Sequence, residues 1–216
     1  MSHLGPPPTL LNSTTIFSLG ATLALLFAAL TLAKSLLPTR IYNDKIQRWT
    51  FVWLAFDALT HFILEGSFLY QSFPPLTSSV NTSKGPFALL WQEYARADTR
   101  WGTSDPTVVS IEIITVLMCG PLCVVLMDMM RKQNEAWRYW IVVLSTAEIY
   151  GGMMTFFPEW ITGSSALNTT HWLYTYVYLL FFNGLWVVIP LYLMYDSYIH
   201  IVGALRTSNA VDKKRQ

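Results

Sequence analysis

Apolar residues in this chain gather into five long runs separated by shorter polar stretches. A helix needs roughly 20 mainly apolar residues to cross the hydrocarbon core of a bilayer. Five segments reach that length, at about 16–37, 49–71, 106–130, 137–157 and 172–195. The first reads IFSLGATLALLFAALTLA, and the fifth is predicted to bend at Pro190, whose ring removes a helical hydrogen bond. Trp49, Trp137, Trp140 and Trp172 lie near the ends of these runs, as interfacial anchors do. The pattern predicts an all-α membrane protein of five transmembrane helices over residues 16–200. A lumenal N-tail (1–15, Pro-rich) precedes them and a cytosolic tail (201–216) follows. No internal repeat is evident, which argues against a transporter built from paired halves.

Composition strengthens the membrane reading. The chain of 216 residues is 53% hydrophobic and 12% charged, whereas soluble domains carry about 25% charged residues. A net charge of +1 with no basic stripe argues against nucleic acid as a partner. No signal peptide with a small-residue cleavage site is recognisable. The two cysteines, Cys119 and Cys123, sit one helical turn apart in an apolar run. Two thiols do not complete a zinc site, so they read as packing residues and no metal is expected.

Five spans put the N-tail and the second and fourth loops on one side of the membrane. That side carries three Lys/Arg (Lys84, Arg96, Arg100), against eleven on the other. The positive-inside rule then puts the C-terminus in the cytosol. Three N-x-S/T sequons, at Asn12, Asn81 and Asn168, all fall on the lumenal side. The terminal KKRQ matches a dilysine retrieval signal, which predicts residence in the endoplasmic reticulum.

Ionisable groups at bilayer depth cost roughly 2.5–3.5 kcal/mol each on insertion scales and mark functional sites by default. In DALTHFILEG, Asp57, His61 and Glu65 fall at i, i+4 and i+8 within span 2. Span 3 adds Glu112 and Thr115, span 4 adds Glu148, and span 5 adds Asn183 and Trp186. Counting from the lumenal ends at about 1.5 Å per residue places Glu65 and Glu112 about 9 Å deep. On the same rise Glu148, Thr115 and His61 are about 14–15 Å deep, and Asn183 and Trp186 about 17–21 Å. Four helices thus bring polar groups to one layer, which predicts an intramembrane cavity formed by helices 2–5, with span 1 as an outer buttress. Asp128 and Asp196 lie near the cytosolic ends, within reach of water.

Buried carboxyl groups can hold or take a proton, a histidine can pair with them, and aromatic faces stabilise a cation by up to about 2 kcal/mol. That combination suits protonation of an alkene, a caged carbocation, and loss of a proton elsewhere. Nucleophile elbow, phosphate loop, haem-ligand pair and HExxH are all missing from the sequence, so no cofactor is implied.

HFILEG (61–66), WQEYARADTRW (91–101), Glu112-x-x-Thr115 followed by Gly120-Pro121, EIYG (148–151) and FFNGLWVVIP (181–190) together resemble the emopamil-binding protein family. These are the membrane sterol Δ8–Δ7 isomerases of the EXPERA superfamily. The resemblance spans most of residues 45–200. It implies a five-helix enzyme of the endoplasmic reticulum that shifts a ring double bond, binds cationic amphiphilic amines in the same pocket, and forms a homodimer. It implies a catalytic role for His61, Glu65 and Glu112, with Thr115 and Asn183 as polar residues around these acids and Trp186 facing the cation. Beyond what the resemblance implies, Glu148 is a candidate further acid, and Asp57, Tyr150 and Tyr94 are candidates for binding substrate or stabilising the cation. WQEYARADTRW reads as a partly helical lumenal lid tied by Glu93, Arg96, Asp98 and Arg100.

The chain departs from the family at four points. The family usually has Gln at Glu148, a small or apolar residue at Asp57, a bulky aromatic at Ser67, and often a polar residue at Gly152. Three functions stay open on these grounds. They are a sterol isomerase, a related isoprenoid or meroterpenoid cyclase or isomerase, and a sterol- or amine-binding membrane protein without turnover.

Overall fold

In the computed structural model, residues 12–73 and 79–215 are described. They are helical, with no β-strand among them beyond an isolated bridge between Asp98 and Leu167. Five helices are long and apolar enough to cross a membrane: Ser13–Leu36, Lys45–Ser72, Pro106–Arg131, Trp137–Thr162 and Leu173–Lys213. We call them spans 1 to 5. The Pro-rich residues 1–11 lie outside the described residues.

Local sequence sets where the spans begin. Asn12 caps span 1 by accepting from the Thr15 amide at 2.9 Å. Asp44 caps span 2 through the Ile46 and Gln47 amides. Asp105 caps span 3, with Pro106 at the first helical position, where no amide hydrogen is required. Span 4 ends at Gly163, whose φ of 92° needs a residue without a side chain. Spans 4 and 5 run past their expected ends. Pro158 and Pro190 both lie inside continuing helices, and the segment read as a tail after residue 200 stays helical to Arg215. Polar residues stop a membrane span, but they do not stop a helix.

Span 2 is the central helix. Of its apolar window 72% is buried, against 17–28% for the other four. A pattern of this kind needs no large hydrophobic core, since the outer faces of the other spans can meet lipid. Three stretches widen into π-helical turns: Thr60–Glu65 in span 2, Thr115–Cys119 in span 3, and Leu173–Phe182 at the start of span 5. Such turns are uncommon and cluster at functional sites. Each here contains or adjoins a candidate site residue.

The spans 2–3 connection folds into two short helices, Pro86–Tyr94 and Thr99–Thr103, as the lid reading expected. Trp91 and Trp101 stack at 4.7 Å. The Trp91 indole donates to the Leu64 carbonyl (3.1 Å) and to Ser67 Oγ (3.0 Å), which ties the lid to span 2. Arg100 is held by Asp98 (2.6 and 2.9 Å) and donates to the Thr155 carbonyl of span 4 (2.6 Å). Burial opposes its charge, but the bond and charge of Asp98, with Glu159 beyond, outweigh it and raise the guanidinium above its ordinary value.

At the opposite end Arg138 donates to Asp196 at 2.8 Å. Asp196 is 8% exposed, so the expectation that it reaches water is corrected: the neighbouring span supplies its partner instead. Asp128 does reach the surface, beside Arg131 and Lys132. Spans 2 and 3 approach closely at Gly120. A Cβ there would stand 3.0 Å from the Phe62 ring and 3.2 Å from the His61 Cβ. Gly120→Val is therefore expected to destabilise the protein by about 1–3 kcal/mol. Thermal unfolding of purified protein in detergent measures this, and an unchanged midpoint would mean that the helices part without cost.

Candidate functional site

Span 2 supplies a ladder of three ionisable groups. Asp57, His61 and Glu65 are one turn apart, so the imidazole lies between two carboxylates. His61 Nδ1 is 2.5 Å from Glu65 Oε2. Its Nε2 is 3.2 Å from Asp57 Oδ1, although the angle makes no hydrogen bond. Asp57 is fully buried and accepts from Trp186 Nε1 (2.8 Å) and from Cys123 Sγ (3.2 Å). It therefore holds the indole by a hydrogen bond and lies behind the imidazole.

Spans 3 and 4 bring an acid to each end of this ladder. The Glu112 carboxyl faces that of Glu65 and accepts from Thr115 Oγ1 at 2.9 Å. The Glu148 carboxyl faces that of Asp57. The resulting order is Glu112, Glu65, His61, Asp57, Glu148, with an imidazole between two carboxyl pairs.

The ladder opens on a cavity of about 490 Å³, within the roughly 300–1,000 Å³ usual for small-molecule sites. His61, Glu65, Glu112, Thr115, Glu148 and Trp186 line it, as do Tyr94 and Asn183. Its remaining wall is largely apolar and aromatic. Asn183 Nδ2 donates to the Tyr94 hydroxyl at 3.0 Å and to the Tyr178 and Leu179 carbonyls left by the π-helical start of span 5. The Tyr94 hydroxyl therefore keeps its own hydrogen to give. Burial pushes this phenol well above its usual value, against the opposing Asn183 bond, so it stays a neutral donor. Trp186 is braced by Trp53 (centroids 5.3 Å, edge-on) and Phe56 (6.0 Å).

Several expectations change. Ser18, Leu19 and Thr22 of span 1 also line the cavity, so that helix is part of the wall rather than a buttress outside it. Tyr150 is 63% exposed and does not line the cavity. It stands two residues beyond Glu148, about 200° further round the helix. Asp57 is behind the wall and not in it, because its oxygens are taken up by Trp186 and Cys123. Cys123 is thus a donor as well as a packing residue. Both cysteines are free thiols. The side-chain donor atoms of Asp57, His61 and Cys123 lie within 4.8 Å of one another, close enough to ligate one ion, though the thiol hydrogen is already directed at Asp57.

Two residues not foreseen from sequence, Thr15 and Tyr178, anchor the lid. Glu93, 4% exposed, accepts from Thr15 Oγ1 of span 1 (2.8 Å) and the Tyr178 hydroxyl of span 5 (3.1 Å), and pairs with Arg96 (2.9 Å). Threonine and tyrosine near a span end are too common to stand out. A second hollow of about 570 Å³, almost wholly apolar, lies between spans 1, 2 and 5 and shares Thr22, Phe56 and Phe182 with the first.

The model of the EXPERA family (expanded EBP superfamily) matches residues 86–197. The 3-beta-hydroxysteroid-Delta(8),Delta(7)-isomerase of Cavia porcellus is 31% identical over 192 residues, 87% of this chain and 80% of the relative. The Mus musculus protein of the same name is 31% identical over 73% of this chain and 66% of its own length. Protoglabretal synthase of Citrus sinensis is 26% identical over 74% of this chain and 72% of its own. With that extent of match and the five-helix architecture, this chain belongs to the EXPERA superfamily.

Proposed function

We propose that this protein is a cofactor-independent membrane isomerase that shifts a ring double bond through a caged carbocation, with a Δ8 3β-hydroxysterol as substrate and its Δ7 isomer as product. The observation that carries the reading is the Glu112–Glu65–His61 row on the wall of a largely apolar cavity, with Trp186 facing the same space. The printed names of the Cavia porcellus and Mus musculus relatives support the substrate class.

In the first step the O–H bond of one carboxylic acid breaks and a C–H bond forms on the ring alkene, leaving a tertiary cation. Trp186 and the neighbouring aromatic rings steady it. In the second step a C–H bond beside the cation breaks, its electron pair becomes the new double bond, and the proton passes to the carboxylate–imidazole row. Atoms and charge balance without an outside oxidant or reductant. Glu65 touches both His61 and Glu112, so a proton can pass along the row, and acid and base belong to the group rather than to one residue. Thr115 and Asn183 position the row and Tyr94. Cationic amphiphilic amines occupy the same cavity because their charged nitrogen stands where the cationic carbon would.

The reading includes an endoplasmic reticulum location, and the charge asymmetry and the sequons support a lumenal N-terminus and a cytosolic C-terminus. The reading also includes a homodimer, which native mass spectrometry from lipid nanodiscs tests.

Incubation with a Δ8 3β-hydroxysterol in deuterated water should give a Δ7 product carrying one solvent deuterium. Tight amine binding without any product would favour a binding protein instead. Trp186→Leu should slow turnover by about 30-fold, the equivalent of about 2 kcal/mol of lost cation stabilisation, with little change in sterol binding. An equal loss in both would assign Trp186 to packing.

The Glu148–Asp57 pair and the Citrus sinensis relative support a second reading, proton-initiated rearrangement or cyclisation of another isoprenoid with Glu148 as the acid. Full activity of Glu148→Gln on the true substrate would remove it.

A further inference from the structure

Glu148 is buried (6% exposed), lines the cavity, and has neither carboxyl oxygen reached by a protein donor. No other carboxylate among the described residues has both oxygens in this state. Its neighbour cannot satisfy it fully. Asp57 already accepts hydrogens from Trp186 and Cys123 and offers only acceptor oxygens. A proton shared between the two facing carboxyl groups would settle one Glu148 oxygen at most. The other has no partner, and the side chain that carries it lines the cavity. Buried polar atoms are nearly always hydrogen-bonded. The wall beside Glu148 is also open, since Gly152 lines the cavity and a Cβ there would meet nothing within 4 Å.

We propose that Glu148 is the subsite for the ring hydroxyl of the substrate. The hydroxyl donates its hydrogen to the unpartnered carboxyl oxygen, and the ring system extends along the row toward Glu65 and Glu112. This rests on the isomerase reading and adds how the chain recognises a hydroxylated ring system rather than a hydrocarbon of the same shape. It also separates the two ends of the row by task. The hydroxyl is held at the Glu148 end, and the double bond reacts at the Glu112 end.

The test is binding of a tritiated Δ8 3β-hydroxysterol to the full chain in lipid nanodiscs, competed by the same sterol, its 3-O-methyl ether and its 3-deoxy analogue. Wild type should prefer the free hydroxyl by about tenfold or more, the usual effect of a buried hydrogen bond. Glu148→Leu should bring all three ligands within about twofold of one another, and Glu148→Gln, which keeps an acceptor oxygen, should retain most of the preference. Wild type without a preference, or Glu148→Leu with the preference intact, would overturn the assignment. So would Glu148→Gln losing about 100-fold in turnover with its hydroxyl preference unchanged, since that marks a proton donor. Preferential binding without conversion of the sterol would overturn the isomerase reading alone. No sterol binding at all would overturn both.

Discussion

Glu112→Gln is expected to lower conversion of a Δ8 3β-hydroxysterol about 1,000-fold, within the range for removing a general acid or base. The replacement has the same shape, and its amide oxygen can still accept from Thr115 Oγ1, so the wall should stay intact. What it removes is the exchangeable proton on the carboxyl that faces Glu65. The amine pocket keeps the Glu65–His61–Asp57 ladder and the Trp186 face, so affinity for a cationic amphiphilic amine should change by no more than about tenfold. Measuring turnover and amine binding on one preparation separates the cases. Parallel loss of both means that the variant has disturbed the cavity. Full turnover means that Glu112 is a spectator and that Glu65 works without it.

Removal of the Arg100 guanidinium should produce the largest loss of stability. Asp98 is 1% exposed and pairs with Arg100 through two hydrogen bonds, while Arg100 also reaches span 4 through the Thr155 carbonyl. Arg100→Met keeps the aliphatic stem but strands the Asp98 charge, which typically costs about 3–5 kcal/mol. The same Asp98 caps the Thr99–Thr103 helix and bridges to Leu167, so the lid and the spans 4–5 connection should loosen together. Thermal unfolding in detergent should show a clear drop in midpoint, with faster hydrogen exchange over residues 91–103. Adding Asp98→Asn should recover part of the loss, because the stranded charge is then gone. If the double variant is no better than the single one, the bond to the Thr155 carbonyl carries the effect instead.

The candidate site shows how far depth alone can be read. Glu65 and Glu112 were expected at one level, and their carboxyl groups do face each other. The helical rise makes level a simple count of residues from the span end. Azimuth is different. Tyr150 was grouped with the cavity residues and points away. Asp57 was assigned to substrate and is sealed behind His61. Span 1 was set outside and contributes part of the wall. A helix can rotate about its axis without changing its sequence of depths, and packing against its neighbours decides the rotation.

Sequence by itself determined the five spans, their likeness to the family and the layer in which the ionisable groups collect, because length, hydropathy and rise per residue are local properties. Only tertiary structure decided which groups meet. The π-helical turns at Thr60–Glu65, Thr115–Cys119 and Leu173–Phe182 widen the helix and turn the following face. The bonds from Trp186 and Cys123 to Asp57, from Thr15 and Tyr178 to Glu93, and from Arg138 to Asp196 join residues far apart in the chain. Their partners are chosen by how the helices pack, and no spacing along the sequence carries that information.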